Sequence, residues 1–348
     1  MSIRAPRLRA LGATTPGNGW RYDPEADEWT AAGNLPTPRQ RLGAATVGDV
    51  IYTFGSIRMR GANRSWDRKA LLAALGWSED DGGTRRRSEH QLEGKMSMTT
   101  TRVALVTGAN QGMGRYVATS LARDGHTVFF GSRDLARGEE AAAGAGPNAH
   151  AVELDVTDAA SITSAVGSIR DISGRLDILV NNAGAAWVGS PPRDLEDARE
   201  RARPSIVDLA EMRAVWDVNV FGPLAMFQAA MPLLRESSDA RVVNVTSALG
   251  SLALASDPAS DVRRMFDPVY ASSKAALNAL TITMMDELAG SEIKVNLVSP
   301  GFARTALVGF MGTETIEDAS QEILRCVRLG PGDPGGTFTT WEATPLPW

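Results

Sequence analysis

The eight residues Thr107-Gly108-Ala109-Asn110-Gln111-Gly112-Met113-Gly114 constrain this chain more than any others. The apolar run Val103-Ala104-Leu105-Val106 leads straight into them, and Val117, Ala118, Leu121 and Ala122 follow at the spacing of one helix face. Strand, glycine-rich turn and helix, in that order, is the setting in which glycines receive a dinucleotide pyrophosphate. Gly108 lets the chain leave the strand tightly, Gly112 lets backbone approach phosphate, and Gly114 lets helix and strand pack closely. The helix start adds free N–H groups and a partial positive charge. Such turns also occur in loops that bind nothing, so the rest of the chain has to decide.

Beyond Arg102 the pattern alternates regularly. Apolar runs predict strands at 103–106, 127–130, 149–154, 176–180, 241–245 and 294–298, with helical periodicity between them. The clearest helix runs from Ala271 to Ala289 and is closed by Gly290. Continuous apolar strands separated by helices imply a parallel sheet covered on both faces, a doubly wound α/β fold of the Rossmann type.

Composition narrows the function classes. With 348 residues, 43% apolar and 22% charged, the chain can bury a sizeable core. One cysteine, Cys326, excludes an intramolecular disulfide and points to a reducing cytoplasm. No run reaches transmembrane length, so no membrane partner is expected, and the arginines of Met1 to Ala10 lack the apolar stretch of a signal peptide. His90, His126 and His150 stand in no ligand spacing, so no metal site is expected. Residues 1–95 hold 15 Lys and Arg against 11 Asp and Glu; the remainder holds 21 against 30. An acidic main portion argues against nucleic acid as a partner.

The N-terminal portion reads differently. Gly19-Trp20-Arg21-Tyr22-Asp23-Pro24, Trp29, Leu35-Pro36-Thr37-Pro38-Arg39, Gly48-Asp49 and Ile51-Tyr52-Thr53-Phe54-Gly55 resemble a single kelch repeat, one blade of a β-propeller. A lone blade cannot bury its faces. Residues 57–95 read as a joint, with two helical turns at Lys69 to Leu75 and the Asp80-Asp81-Gly82-Gly83 and Arg85-Arg86-Arg87 runs of a linker. The expectation is a poorly ordered extension over 1–97, not an independent domain, followed by one domain over 98–348.

Tyr270-Ala271-Ser272-Ser273-Lys274 places a phenol and an ammonium on one helix face. A nearby cation favours the phenolate, and such a pair can exchange a proton with a carbonyl oxygen. Alone the match is common by chance. Here it stands in an ordered set: Thr107 to Gly114, Asn181-Asn182-Ala183-Gly184, Val243-Asn244-Val245-Thr246-Ser247, Tyr270 to Lys274, and Pro300-Gly301. Together these resemble the short-chain dehydrogenase/reductase family over roughly residues 100–348.

The resemblance implies NAD(P)-dependent hydride transfer at a carbonyl or alcohol, with a small molecule as substrate. Tyr270 would donate or accept the proton, Lys274 would hold the nicotinamide ribose and tune Tyr270, and Ser247 would hydrogen-bond the substrate oxygen. Asn219, in Trp216-Asp217-Val218-Asn219-Val220, matches the asparagine that supports a water relay to the lysine. Gly108, Asn110, Gln111, Gly112, Met113 and Gly114 would surround the pyrophosphate, and Asn182, Ala183 and Gly184 the adenosine ribose. Pro300 and Gly301 also match cofactor-lining positions. Asp155 matches the aspartate that meets the adenine amino group, or caps a helix together with Asp158. Met96 to Thr101 lies where such a reductase normally begins, which leaves open whether residues 1–97 belong to the mature protein.

Cofactor choice turns on the end of the second strand. NAD enzymes place a carboxylate there. Val128-Phe129-Phe130 instead runs into Gly131-Ser132-Arg133-Asp134, where Arg133 can clamp a 2′-phosphate and Asp134 suits a helix cap. The expected cofactor is NADPH. Ser247 and Tyr270 are 23 positions apart, lengthened by Ser256 to Arg264, and the stretch from Pro191 to Pro204 is also long. The end of the chain, Gly335 to Trp348, resembles the carbonyl-reductase-like branch, which tolerates such insertions. The reading is a cytoplasmic NADPH-dependent carbonyl reductase, monomer or homo-oligomer. Its alternatives are an NAD-dependent alcohol dehydrogenase, or a kelch-type binding protein carrying an inactive reductase scaffold.

Overall fold

A computed structural model describes residues 18–23, 28–34, 43–47, 50–54 and 101–348, apart from 190, 191, 194, 331 and 334. The chain divides into two units, Met1–Met96 and Ser97–Trp348. In the first, β1 (Asn18–Asp23) pairs antiparallel with β2 (Glu28–Asn34), and β3 (Gly43–Val47) with β4 (Val50–Phe54). The joint expected over 57–95, with its short helix, lies outside the described residues.

The second unit is built on seven parallel strands: β5 (Val103–Thr107), β6 (Thr127–Ser132), β7 (Ala149–Glu153), β8 (Ile178–Asn181), β9 (Arg241–Val245), β10 (Lys294–Ser299) and β11 (Phe338–Thr340). Their order across the sheet is β11-β10-β9-β8-β5-β6-β7, every neighbouring pair parallel. Successive strands therefore leave β5 in one direction and β8 in the other. The crevice beyond the C-terminal ends of β5 and β8 is where such sheets bind ligands. This is the doubly wound fold that the alternation predicts. Two details differ. Leu176 and Asp177 precede β8 and are not part of it, and β11 is a seventh strand, too short to register as an apolar run.

Residues alternate across the sheet and so divide the core in two. Leu105, Phe129, Leu179, Val242 and Val295 pack on α3 (Ala159–Ser173), α6 (Gly222–Leu234) and α9 (Tyr270–Glu287). Val106, Val128, Phe130, Val180 and Val243 pack on α1 (Gly112–Arg123), α2 (Leu135–Ala143) and α10 (Ile316–Val327). Short helices α4 (Leu195–Arg201) and α5 (Leu209–Trp216) follow β8, and one π-helical turn, Asp217–Phe221, joins α5 to α6. The long spacing after Ser247 holds α7 (Leu252–Ser256) and α8 (Asp261–Met265).

The N-terminal ends of the strands are tied by charge. Asp177 accepts the Val103 N–H at 2.7 Å, the Ser237 hydroxyl at 2.6 Å and Arg175 Nε at 3.1 Å. Asp239 pairs with Arg102 at 3.1 Å and with the fully buried Arg241 at 2.5 Å. At the far edge the chain turns back along β11. Leu346 N–H donates to Phe338 O, the Ser251 hydroxyl donates to Pro347 O at 2.6 Å, and Ala253 N–H to Trp348 O at 2.9 Å. The end of the chain thus holds the start of α7.

Candidate active site

At the end of β5 the chain turns through Gly108, whose φ of +65° is costly for any residue with a side chain. Thr107 anchors the turn, its hydroxyl oxygen accepting the Asn182 and Ala183 N–H groups at 3.0 and 2.9 Å. Asn182 Nδ2 in turn donates to Thr107 O at 2.9 Å. Beyond Asn110, the first helical bond of α1 runs from Arg115 N–H to Gln111 O. The N–H groups of Gly112, Met113 and Gly114 therefore precede the helical ladder, and no side chain caps them. A Cβ on Gly114 would run into the Gly108 carbonyl and the Asn182 amide. The turn is bare, and its donors are free for an anion.

Ser132 closes β6 and is buried, its hydroxyl bonded to Asp134 O at 2.7 Å. Asp134 caps α2 by accepting the Arg137 N–H at 3.2 Å, as its position suggested. No carboxylate ends β6 itself. Arg133 is exposed, and Arg137, also exposed, reaches Gln111 Oε1 at 3.3 Å. Sequence reasoning passed over Arg137; its signal was a second arginine one helical turn after the first. Asp155 folds on itself, Oδ1 accepting both the N–H (2.9 Å) and the hydroxyl (2.7 Å) of Thr157, which holds its carboxyl below the ordinary range. Asp158 caps α3 by accepting the Ala160 N–H, while its own N–H donates to Asp155 O at 3.1 Å.

On the other side of the crevice, Ser247 follows β9 and begins a 3-10 turn over Ala248–Gly250. Gly250 lies so close to α9 that a Cβ there would meet the Lys274 carbonyl carbon at 2.8 Å. This contact sets the turn against the first helical turns of α9. Tyr270 is the first residue of that helix, and the Ser247 side chain faces its phenol and favours the ionised form. Lys274 is buried, its Nζ 5.7 Å from the Tyr270 ring centre and donating to Val245 O at 3.0 Å.

Burial pushes the Tyr270 phenol up to about 12 and the Lys274 ammonium down to about 8. In the free chain burial, not the lysine, dominates the phenol: the ammonium is aimed at a carbonyl and not at the phenol.

Asn219 lies within the π-helical turn and is fully buried. Its Nδ2 donates to Ala185 O at 2.8 Å and Ser273 Oγ at 2.9 Å, and its Oδ1 accepts the Ala185 N–H at 2.9 Å. A Cβ on Gly184 would stand 3.4 Å from Asn219 Oδ1 and 3.8 Å from Lys274 Nζ, so the three meet at one spot. The Ser273 link was not foreseen; it needs the helix packing to become visible. Pro300 and Gly301 follow β10, and Thr305 beyond them comes within 3.6 Å of a Cβ placed on Gly112. The loop after β10 therefore reaches the glycine turn.

A bare phosphate-type turn and a Ser–Tyr–Lys cluster share one crevice at the β5/β8 switch. A model of the short chain dehydrogenase family matches residues 102–315. The chain belongs to that family. As a short-chain dehydrogenase it is 34% identical over 247 residues to the short-chain dehydrogenase anuI of Penicillium roqueforti (strain FM164), covering 68% of this chain and 92% of that one. Among solved structures it resembles the NADPH-bound carbonyl reductase from chicken fatty liver, at 28% identity and a TM-score of 0.59 over 71% of this chain and 99% of that one. It also resembles salutaridine reductase from Papaver somniferum, at 26% identity and a TM-score of 0.57 over 68% and 99%. The chain is accordingly an oxidoreductase of the short-chain type. No described helix is long and apolar enough to cross a membrane.

Proposed function

We propose that this short-chain dehydrogenase reduces a small-molecule carbonyl (aldehyde, ketone or quinone) to the alcohol with NADPH, and that residues 98–348 form the catalytic domain. The observation that carries the reading is the grouping of Ser247 and Tyr270 with the buried Lys274, whose Nζ stands 5.7 Å from the Tyr270 ring centre, together with an uncapped helix start after the glycine turn. The turn suits a dinucleotide: Gly114 lets α1 pack tightly on the Gly108 carbonyl, and the Gly112, Met113 and Gly114 N–H groups await an acceptor. Asn182, Ala183, Gly184, Pro300 and Gly301 line the same crevice, with Asp155 at the end of β7 toward the adenine. The nicotinamide, when bound, supplies the hydride.

The chain's own residues handle the proton and the oxygen. Tyr270, protonated at neutral pH, gives its phenolic proton to the carbonyl oxygen as that oxygen gains charge. The Ser247 hydroxyl donates a second hydrogen bond to the same oxygen. Lys274, next to Gly184 and Asn219, holds positive charge beside Tyr270 when the phenolate forms. Asn219 holds the Ala185 backbone and Ser273 in place under it. The NADPH preference is supported by Arg133 and Arg137 after β6, where an NAD enzyme would carry a free carboxylate. The chicken fatty liver relative is itself NADPH-bound. One cysteine suits a reducing cytoplasm.

The test is NADPH oxidation against a panel of aldehydes, ketones and quinones. Tyr270→Phe is expected to lower kcat by roughly a hundred- to ten-thousand-fold while leaving the NADPH dissociation constant near the parent's. Near-normal turnover in that variant removes the proposal. A parent that prefers NADH replaces it with an NAD-dependent enzyme.

A further inference from the structure

Between the segment that lengthens the spacing from Ser247 and the start of α9 stands Asp267, a residue the proposed reaction does not use. Its side chain turns back on the start of α9. Oδ1 accepts the N–H groups of Val269 and Tyr270 at 2.8 and 2.7 Å, and Oδ2 accepts that of Ala271 at 3.2 Å. The backbone carbonyl of Asp267 accepts the next one, from Ser272, at 3.1 Å. Pro268 has no N–H to satisfy. Val269, which immediately precedes the helix, offers no side-chain cap.

We propose that Asp267 is a positioning residue for the Tyr270 reaction: four successive backbone N–H groups, Tyr270's own among them, end on this one residue, which fixes where the phenol stands and sets a negative charge beside it. The inference rests on Tyr270 being the proton donor. Position matters because Tyr270 is the first residue of α9, where an uncapped helix frays. A donor phenol needs hydrogen-bond reach to the substrate oxygen, and fraying there would lose it. Charge matters because an anion near a phenol disfavours the phenolate.

The groups around the phenol can be named. Asp267 faces it from the cap and pushes its pKa up, in the same direction as burial. Lys274 stands 5.7 Å from the ring centre on the same helix and acts the other way once charged. The turn after β9 presents only the neutral Ser247, whose side chain favours ionisation. Asp267 is thus the counterweight that keeps the proton on Tyr270, the form that carbonyl reduction consumes.

The experiment compares the full chain with its Asp267→Asn, Asp267→Ala and Tyr270→Phe variants. Asparagine retains an oxygen for Val269 and Tyr270 but has no charge. Removing an anion makes the phenol ionise earlier, so the alkaline limb of kcat/KM in reduction is expected to move to lower pH by about half a unit or more. The thermal midpoint of Asp267→Asn should stay near the parent's. Ultraviolet phenolate titration of the cofactor-free chain, read as the difference from Tyr270→Phe, should move the same way. Asp267→Ala should lower kcat several-fold with little change in KM for NADPH. Limb and titration coinciding with the parent's in Asp267→Asn would overturn the charge role, and parental kcat in Asp267→Ala would overturn the positioning. If Tyr270→Phe is inactive while both Asp267 variants behave as the parent, the inference fails and the proton donor stands. If Tyr270→Phe keeps its turnover, both fall.

Discussion

At the N-terminal ends of the seven strands polar groups close on one another, whereas at the C-terminal ends they are left open. Asp177 satisfies Val103, Ser237 and Arg175 together, and Asp239 joins Arg102 to the buried Arg241. Each of these five charged residues is also bonded to a distant part of the chain. At the opposite end the first N–H groups of α1 have no cap, and Gly114 packs against the Gly108 carbonyl and the Asn182 amide with no room for a side chain of its own. The same sheet therefore ties charged side chains together at one end and leaves a run of backbone donors open at the other. The two ends should respond differently to substitution.

Asp177→Ala should have the largest effect of those that test the contrast. It strands the Val103 N–H and the Ser237 hydroxyl at a buried position and removes the partner of the partly exposed Arg175 Nε, at a cost of about 3 kcal/mol in unfolding free energy. Denaturant melts should show that loss while the NADPH dissociation constant stays near the parent's. A matching loss of cofactor affinity would mean the two ends are not separable.

Gly114→Ala attacks the open end. The new methyl meets backbone at the Gly108 carbonyl, which cannot swing aside as a side chain would. About 2 kcal/mol of strain is expected where the turn must hold its shape, or roughly a thirtyfold weaker NADPH complex in fluorescence titration. Unchanged affinity would show that the turn is not the phosphate cradle.

The smallest effect sharpens the picture within the open end. Replacing Arg133 and Arg137 together with alanine should weaken NADPH by about 1 kcal/mol, roughly fivefold, and NADH hardly at all. Both side chains are exposed, so the difference should shrink as salt rises. Equal weakening of both cofactors would remove the 2′-phosphate clamp.

Much of this contrast was legible in the sequence. The glycine turn, the six longer strands and the Tyr270 helix announce themselves because each rests on local periodicity or on backbone conformations that few residues permit. What was hidden depends on distant partners. The three residues of β11 become a strand only because β10 offers a free edge. The link from Asn219 to Ser273 needs a π-helical turn to aim it, and no periodicity marks such a turn. Asp267 stands three residues before Tyr270, yet as a sequence it is one more acidic residue in a charged insertion. The balance of burial against charge at Tyr270 and Lys274 is likewise a property of the packed pocket.

The insertion between Ser247 and Tyr270 is held at both ends by anchors that do not depend on its interior. Ser251 and Ala253 are tied to Pro347 and Trp348 at one end, and Asp267 locks onto α9 at the other. Doubling the length of a flexible loop between fixed points costs only about 0.6 kcal/mol. The stretch between the anchors is therefore free to change in length and composition over evolutionary time, rewriting the surface a substrate meets while the register of Ser247 against Tyr270 is inherited intact.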